Sequence, residues 1–196
     1  MTETQNFVCH GCGVSVSQND NVCVYCGNPI AITNFKSITN MSPPLLNKYL
    51  SSYRKEASAD HNNNESSMAI AFCYLKLKIY DMAKTSFDKA LESNYDNPEI
   101  FFYAAISSLN GKKAFLAPRS DIDKAIEYLL AAIMIEPRAI YYYALAYIKY
   151  DFFTRKSYKI SPDYQEELAI ARSNGLSVED KNNLYSLLCV EQPGCL

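Results

Sequence analysis

Ala83-Lys84-Thr85-Ser86-Phe87-Asp88-Lys89-Ala90 and Ala125-Ile126-Glu127-Tyr128-Leu129-Leu130-Ala131-Ala132 share one pattern: a small residue, a large apolar one four positions on, and another small one three beyond that. On an α-helix those three positions lie on one face, and alanine at both ends lets a second helix approach closely. The preceding segments supply partners of matching design, Ile70, Ala71 and Tyr74 for the first and Phe101, Ala104 and Ala105 for the second. The chain therefore contains two successive helical hairpins of similar internal construction.

Working outward, apolar residues at helical spacing predict helices over residues 43–57, 68–79, 82–93, 98–109, 122–135, 139–150, 162–172 and 178–189, with no strand signal between them. Ser42 ahead of Pro43 and Pro44 is the chemistry of a helix start. Asp60 to Asn64, with His61 among them, form a polar break; Gly175 reads as a stop, and Ser177 with Asp180 as a capping box. Cys73 and Cys189 fall on apolar helical faces, where a free thiol acts as a small buried hydrophobe.

The pattern resembles the tetratricopeptide repeat, a helix pair recurring every 34 residues. Ile70, Ala71, Tyr74, Ala83, Phe87 and Ala90 occupy the spacing of one repeat, and Phe101, Ala104, Ala105, Ala125, Leu129, Ala132 and Pro137 that of the next. Ala83 and Ala125 stand eight residues further apart than one period, which points to an insertion at residues 111–118, and Ala144 with Leu145 open a third, degenerate unit. The resemblance implies a right-handed stack with a concave groove for a protein partner, capped by its first and last helices.

Before the helices, Cys9, Cys12, Cys23 and Cys26 read as C-x2-C, ten residues, C-x2-C. Two such pairs on hairpins can place four thiolates tetrahedrally about one zinc ion at about 2.3 Å. Gly13 and Gly27, each following a pair, tolerate the positive φ that turns backbone amides toward sulfur. The start of the chain carries no export signal, so a reducing, cytoplasmic setting is expected, which disfavours disulfides; an iron–sulfur cluster is the competing metal reading. Four cysteines leave no open coordination position, so the zinc would be structural, and His10 inside the first pair is superfluous as a ligand. Residues 7–30 resemble a rubredoxin-like zinc ribbon of bacterial type. The expected fold class is mainly α: a tetratricopeptide-like helical-hairpin array (42–196) behind a small N-terminal β zinc ribbon (1–30), joined by a linker or extended strap (31–41) without clear period.

In 196 residues, 19 Lys and Arg balance 21 Asp and Glu to a net charge of −2, so no global field attracts nucleic acid or a membrane surface. The most apolar helical stretch, 125–135, is too short to span a bilayer. Two histidines and six glycines provide no Ser-His-Asp grouping and no phosphate-cradling loop, which argues against an enzyme. Glu166 and Glu167 are adjacent, point apart on a helix and read as a solvated face.

Two segments remain as candidate partner surfaces. In 138–159, Tyr141, Tyr142, Lys149, Arg155 and Lys156 interleave rings with cations, with Tyr142 and Lys149 expected to face solvent. Such a face suits a protein partner or, as the alternative reading, a regulatory nucleic-acid-binding role, when it is not simply core beside a basic edge. In the insertion, Phe115 and Leu116 either fold back on the repeats or dock a partner or a second copy. The expected function is a non-enzymatic protein-protein interaction adaptor or scaffold, with a partner in the helical groove and the structural zinc ribbon as a second contact.

Overall fold

Helix signals read from the sequence become eight α-helices in the computed structural model, which describes residues 7–17, 20–59 and 64–196. They are α1 (Pro43–Ala59), α2 (Asn64–Lys76), α3 (Tyr80–Leu91), α4 (Pro98–Ser108), α5 (Arg119–Ile135), α6 (Ala139–Ile148), α7 (Tyr164–Ser173) and α8 (Val178–Leu188). The fold is mainly helical; the expected polar loop with His61 lies outside the described residues. Local chemistry explains the ends. Asn97 accepts the Glu99 amide ahead of Pro98, and reciprocal capping boxes start α7 (Asp163 and Glu166) and α8 (Ser177 and Asp180). Gly175 ends the α7 turn at φ +82°.

From α1 to α7 each helix packs on the next. Ala83, Phe87 and Ala90 of α3 and Ala125, Leu129 and Ala132 of α5 are all fully buried, so the quoted pattern does mark close contact faces. Phe72, Phe87 and Tyr103 form an aromatic cluster joining α2, α3 and α4, with the Phe72 ring 5.6 Å from Phe87 and 5.4 Å from Tyr103. α8 folds back onto α6, where the Tyr185 ring meets Tyr143 at 6.1 Å and Tyr147 at 5.6 Å. Cys189, expected buried, sits exposed just past α8 in a left-handed cap (φ 55°), because the helix ends one residue short of it.

Residues 31–41 pack as a strap against the helical core. Ile32, Phe35, Ile38 and Met41 are buried in the helical core, around a 3-10 turn at Phe35–Ile38. Their three-residue spacing is the 3-10 period, which a search for helical or strand periods passes over. Phe35 completes the aromatic cluster, 4.8 Å from Tyr103 and 6.0 Å from Phe72.

At the other end, α6 buries eight of its ten residues and runs on as a π-helical turn, Lys149–Thr154. The insertion folds back against that turn: the Ala114 amide donates to the Tyr147 hydroxyl (3.2 Å), and the Phe115 amide donates to Asp151 Oδ2 (2.7 Å). Among the described residues no helix is long and apolar enough to cross a membrane.

Candidate metal centre

Two short hairpins carry the first four cysteines. In the first, β1 (Phe7–Val8) pairs antiparallel with β2 (Ser15–Val16); in the second, Val22 bridges Pro29. Their turns are built alike. The Cys9 amide bonds the Val14 carbonyl and the Gly13 amide the Cys9 carbonyl; in the second, Cys23 bonds Asn28 and Gly27 bonds Cys23 in the same way, all at 2.8–2.9 Å. Both turns need the left-handed conformation at their glycines, φ +80° at Gly13 and +69° at Gly27.

The four sulfurs lie within 4.8 Å of one another, with Cys9 to Cys26 and Cys12 to Cys23 both at 3.7 Å. That is too long for a disulfide and matches the edge of about 3.8 Å expected for a sulfur tetrahedron with metal–sulfur bonds of about 2.3 Å. The cluster could hold a metal ion. The Asn28 amide beside Cys26 is the largest influence on that thiol and draws it down to about 6. The Val14 amide acts likewise on Cys12, but desolvation and the thiols of Cys23, Cys26 and Cys9 outweigh it and push Cys12 up to about 12. A divalent ion removes that conflict by taking four thiolates at once.

One stripe of α1 receives these hairpins. Tyr49 donates its hydroxyl to the Pro29 carbonyl, and the Tyr53 hydroxyl accepts the Ile32 amide at 2.8 Å. His10 is turned away from the sulfurs: Nδ1 is 2.8 Å from Ser52 Oγ, Nε2 is 3.5 Å from Glu56 Oε1, and the ring packs 4.4 Å from Tyr53. Burial lowers the His10 imidazole below its ordinary value, with Glu56 acting the other way. Residues 49, 52, 53 and 56 recur at helical spacing, but their recipient, His10, lies some forty residues earlier, so no local pattern reveals the contact. Ser52, His10 and Glu56 form a hydroxyl–imidazole–carboxylate chain. The chain ties the first hairpin to α1.

The candidate partner residues scatter. Tyr141 and Lys149 are buried, at 1% and 4% exposure, Tyr142 is half-buried and Arg155 is exposed. Lys149 does not face solvent as expected: its ammonium reaches Glu167 Oε1 at 2.6 Å and the Pro162 carbonyl at 2.8 Å. Glu167 is correspondingly buried, correcting the solvated-face reading, while Glu166 serves the α7 cap. Arg155 pairs with Asp151 at 2.5 Å and stands 4.5 Å over the Phe115 ring; Lys156 lies 5.0 Å over the same ring. Phe115 thus packs back on the chain, whereas Leu116 is 66% exposed. Arg138 is paired with Glu99 and Glu136. No protein-family model matches the chain, and no curated protein compared with it matches.

Proposed function

We propose that the protein is a non-enzymatic interaction scaffold in which a rubredoxin-like ribbon, closed by one structural zinc on Cys9, Cys12, Cys23 and Cys26, is presented by a tetratricopeptide-like helical array. One observation carries the reading: the cysteine hairpins are almost uncharged and turn apolar side chains outward. Val24 is 77% exposed and Tyr25 71%, with Val8, Val14 and Val22 also exposed, and among Asp, Glu, Lys and Arg only Asp20 occurs in 7–30. An apolar surface maintained on a metal-held turn suits a protein contact and cannot neutralise phosphate. The nucleic-acid alternative finds less support, since Arg138, Lys149 and Arg155 of the 138–159 face are committed to carboxylates. Four sulfurs complete a tetrahedral zinc and leave no position for water or substrate.

The test is affinity capture with the full chain and with Val24→Lys/Tyr25→Lys. The double variant is expected to keep one zinc per chain and its melting temperature while losing the captured partner. Undiminished capture by a zinc-loaded variant would refute the ribbon as a contact.

A further inference from the structure

We propose that the insertion and the π-helical turn form a second docking surface, separate from the ribbon, and that its occupant is an acidic segment of a protein partner with carboxylates on either side of an apolar side chain. Residues 111–119 and 154–160 carry Lys112, Lys113, Arg119, Arg155, Lys156 and Lys159, six of the chain's 19 cations, and no Asp or Glu. In a chain of net charge −2 this is a local reversal of sign.

The fold lays the two segments side by side. Asp151 holds the Phe115 amide, and the Phe115 ring lies 4.5 Å from the Arg155 guanidinium and 5.0 Å from the Lys156 ammonium, which also stands 3.8 Å over Phe152. Arg119 pairs with Asp123 and Arg155 with Asp151. Among the described residues Lys112, Lys113, Lys156 and Lys159 have no ion-pair partner. Cations gathered around one ring repel each other, and a carboxylate from outside the chain relieves what the chain leaves uncompensated. Packing over two rings also orders Lys156 in advance, which lowers the entropy lost on binding.

The surroundings favour a peptide over a nucleic acid or an anionic membrane. Leu116 is 66% exposed and Tyr158 54%, apolar surface beside the cations that a phosphate backbone does not cover. Arg155 and Lys156 take up faces of Phe115 and Phe152, which withdraws those faces from base stacking. Next to the patch, a cavity of about 300 Å³ has Lys113 and Arg155 on its wall together with Asp151 and Glu191. A run of phosphates or a sheet of anionic headgroups meets those carboxylates, whereas a peptide can set its own carboxylates on the lysines and a neutral group against Glu191.

The experiment titrates the full chain into a fluorescein-labelled Glu-Asp-Glu-Leu-Asp-Glu-Asp peptide, its Gln/Asn counterpart, a version with Ser in place of Leu, a labelled oligothymidylate, and phosphatidylserine vesicles. The acidic peptide is expected to bind about tenfold more tightly than the Gln/Asn counterpart and more tightly than the Ser version. Its affinity should fall about tenfold in Lys113→Glu/Lys156→Glu and in Lys112→Glu/Lys159→Glu, the second pair altering only exposed side chains, with melting temperature and helicity unchanged. No measurable binding of the acidic peptide, equal binding of the Gln/Asn counterpart, or undiminished binding by Lys112→Glu/Lys159→Glu overturns the proposal. Equal binding of the Ser version removes the apolar anchor and overturns that part of it. Tighter binding of the oligothymidylate or the vesicles than of the acidic peptide assigns the patch to nucleic acid or membrane and overturns the partner assignment. None of these readouts uses the ribbon or a captured partner, so they fail separately from the scaffold reading.

Discussion

The cysteine hairpins and the helical array meet along α1 but are stabilised by different physics. Among the described residues the hairpins bury Cys9, Cys23 and Ile30, with Val16 and Cys26 against them, far too little apolar surface for a unit of their size to fold unaided. The array buries a continuous core from Ile32 to Leu196. The contrast teaches that a metal held by the four sulfurs would substitute for a core, and that α1, through Tyr49, Ser52, Tyr53 and Glu56, couples the two regions by directed hydrogen bonds.

Removing the proposed zinc should have the largest effect. Structural zinc contributes on the order of 10–16 kcal/mol in zinc-finger peptides, so chelation should abolish amide protection in residues 7–30 while circular dichroism of the helices persists. Collapse of helicity on chelation would erase the contrast.

Next comes the buried ion pair. Glu167→Ala strands the Lys149 ammonium and should lower stability by about 3–5 kcal/mol in urea unfolding, whereas Lys149→Met/Glu167→Leu should recover most of it. A wild-type midpoint for Glu167→Ala would show that this charge is not buried.

Ala90→Leu and Ala132→Leu should each cost about 1–3 kcal/mol, since both alanines are fully buried at close helix contacts. The same denaturation curves check this, and neither substitution should alter metal content. The smallest effect sharpens the coupling itself. Tyr49→Phe removes the hydroxyl donated to Pro29 and should weaken hairpin docking by about 1 kcal/mol. Hydrogen exchange in 21–30 should quicken while the array's midpoint stays put.

What the sequence showed and what it hid follow the same division between local and distant causes. Capping at Ser177 and Asp180, the stop at Gly175, the alanine pattern of α3 and α5 and the four-cysteine spacing are all written within a few neighbouring residues, and each appears in the fold. Lys149 reads as a surface cation because its partner Glu167 lies 18 positions on, across the α6–α7 contact. Tyr141 to Tyr143 suggest a groove because three rings fan around a helix. Helix α6, flanked by α5, α7 and α8, nevertheless buries two of them and half-buries the third. An amphipathic stripe on α8 announces a buried face but not which helices receive it.

The placement of the seven cysteines gives the molecule a chemical reporter of its own order. Cys189 and Cys195 are exposed outside the four-cysteine cluster. Desolvation opposes ionisation of Cys189, yet Tyr80 and Lys78 together draw it below its ordinary value, which favours its thiolate and hence its alkylation. The four clustered thiols would be masked while they hold a metal, and Cys73 is sealed in the core. Alkylating reagents should therefore count two thiols in the metal-loaded chain, six after chelation and seven after unfolding, and dyes placed on the first two would flank the tail beyond α8.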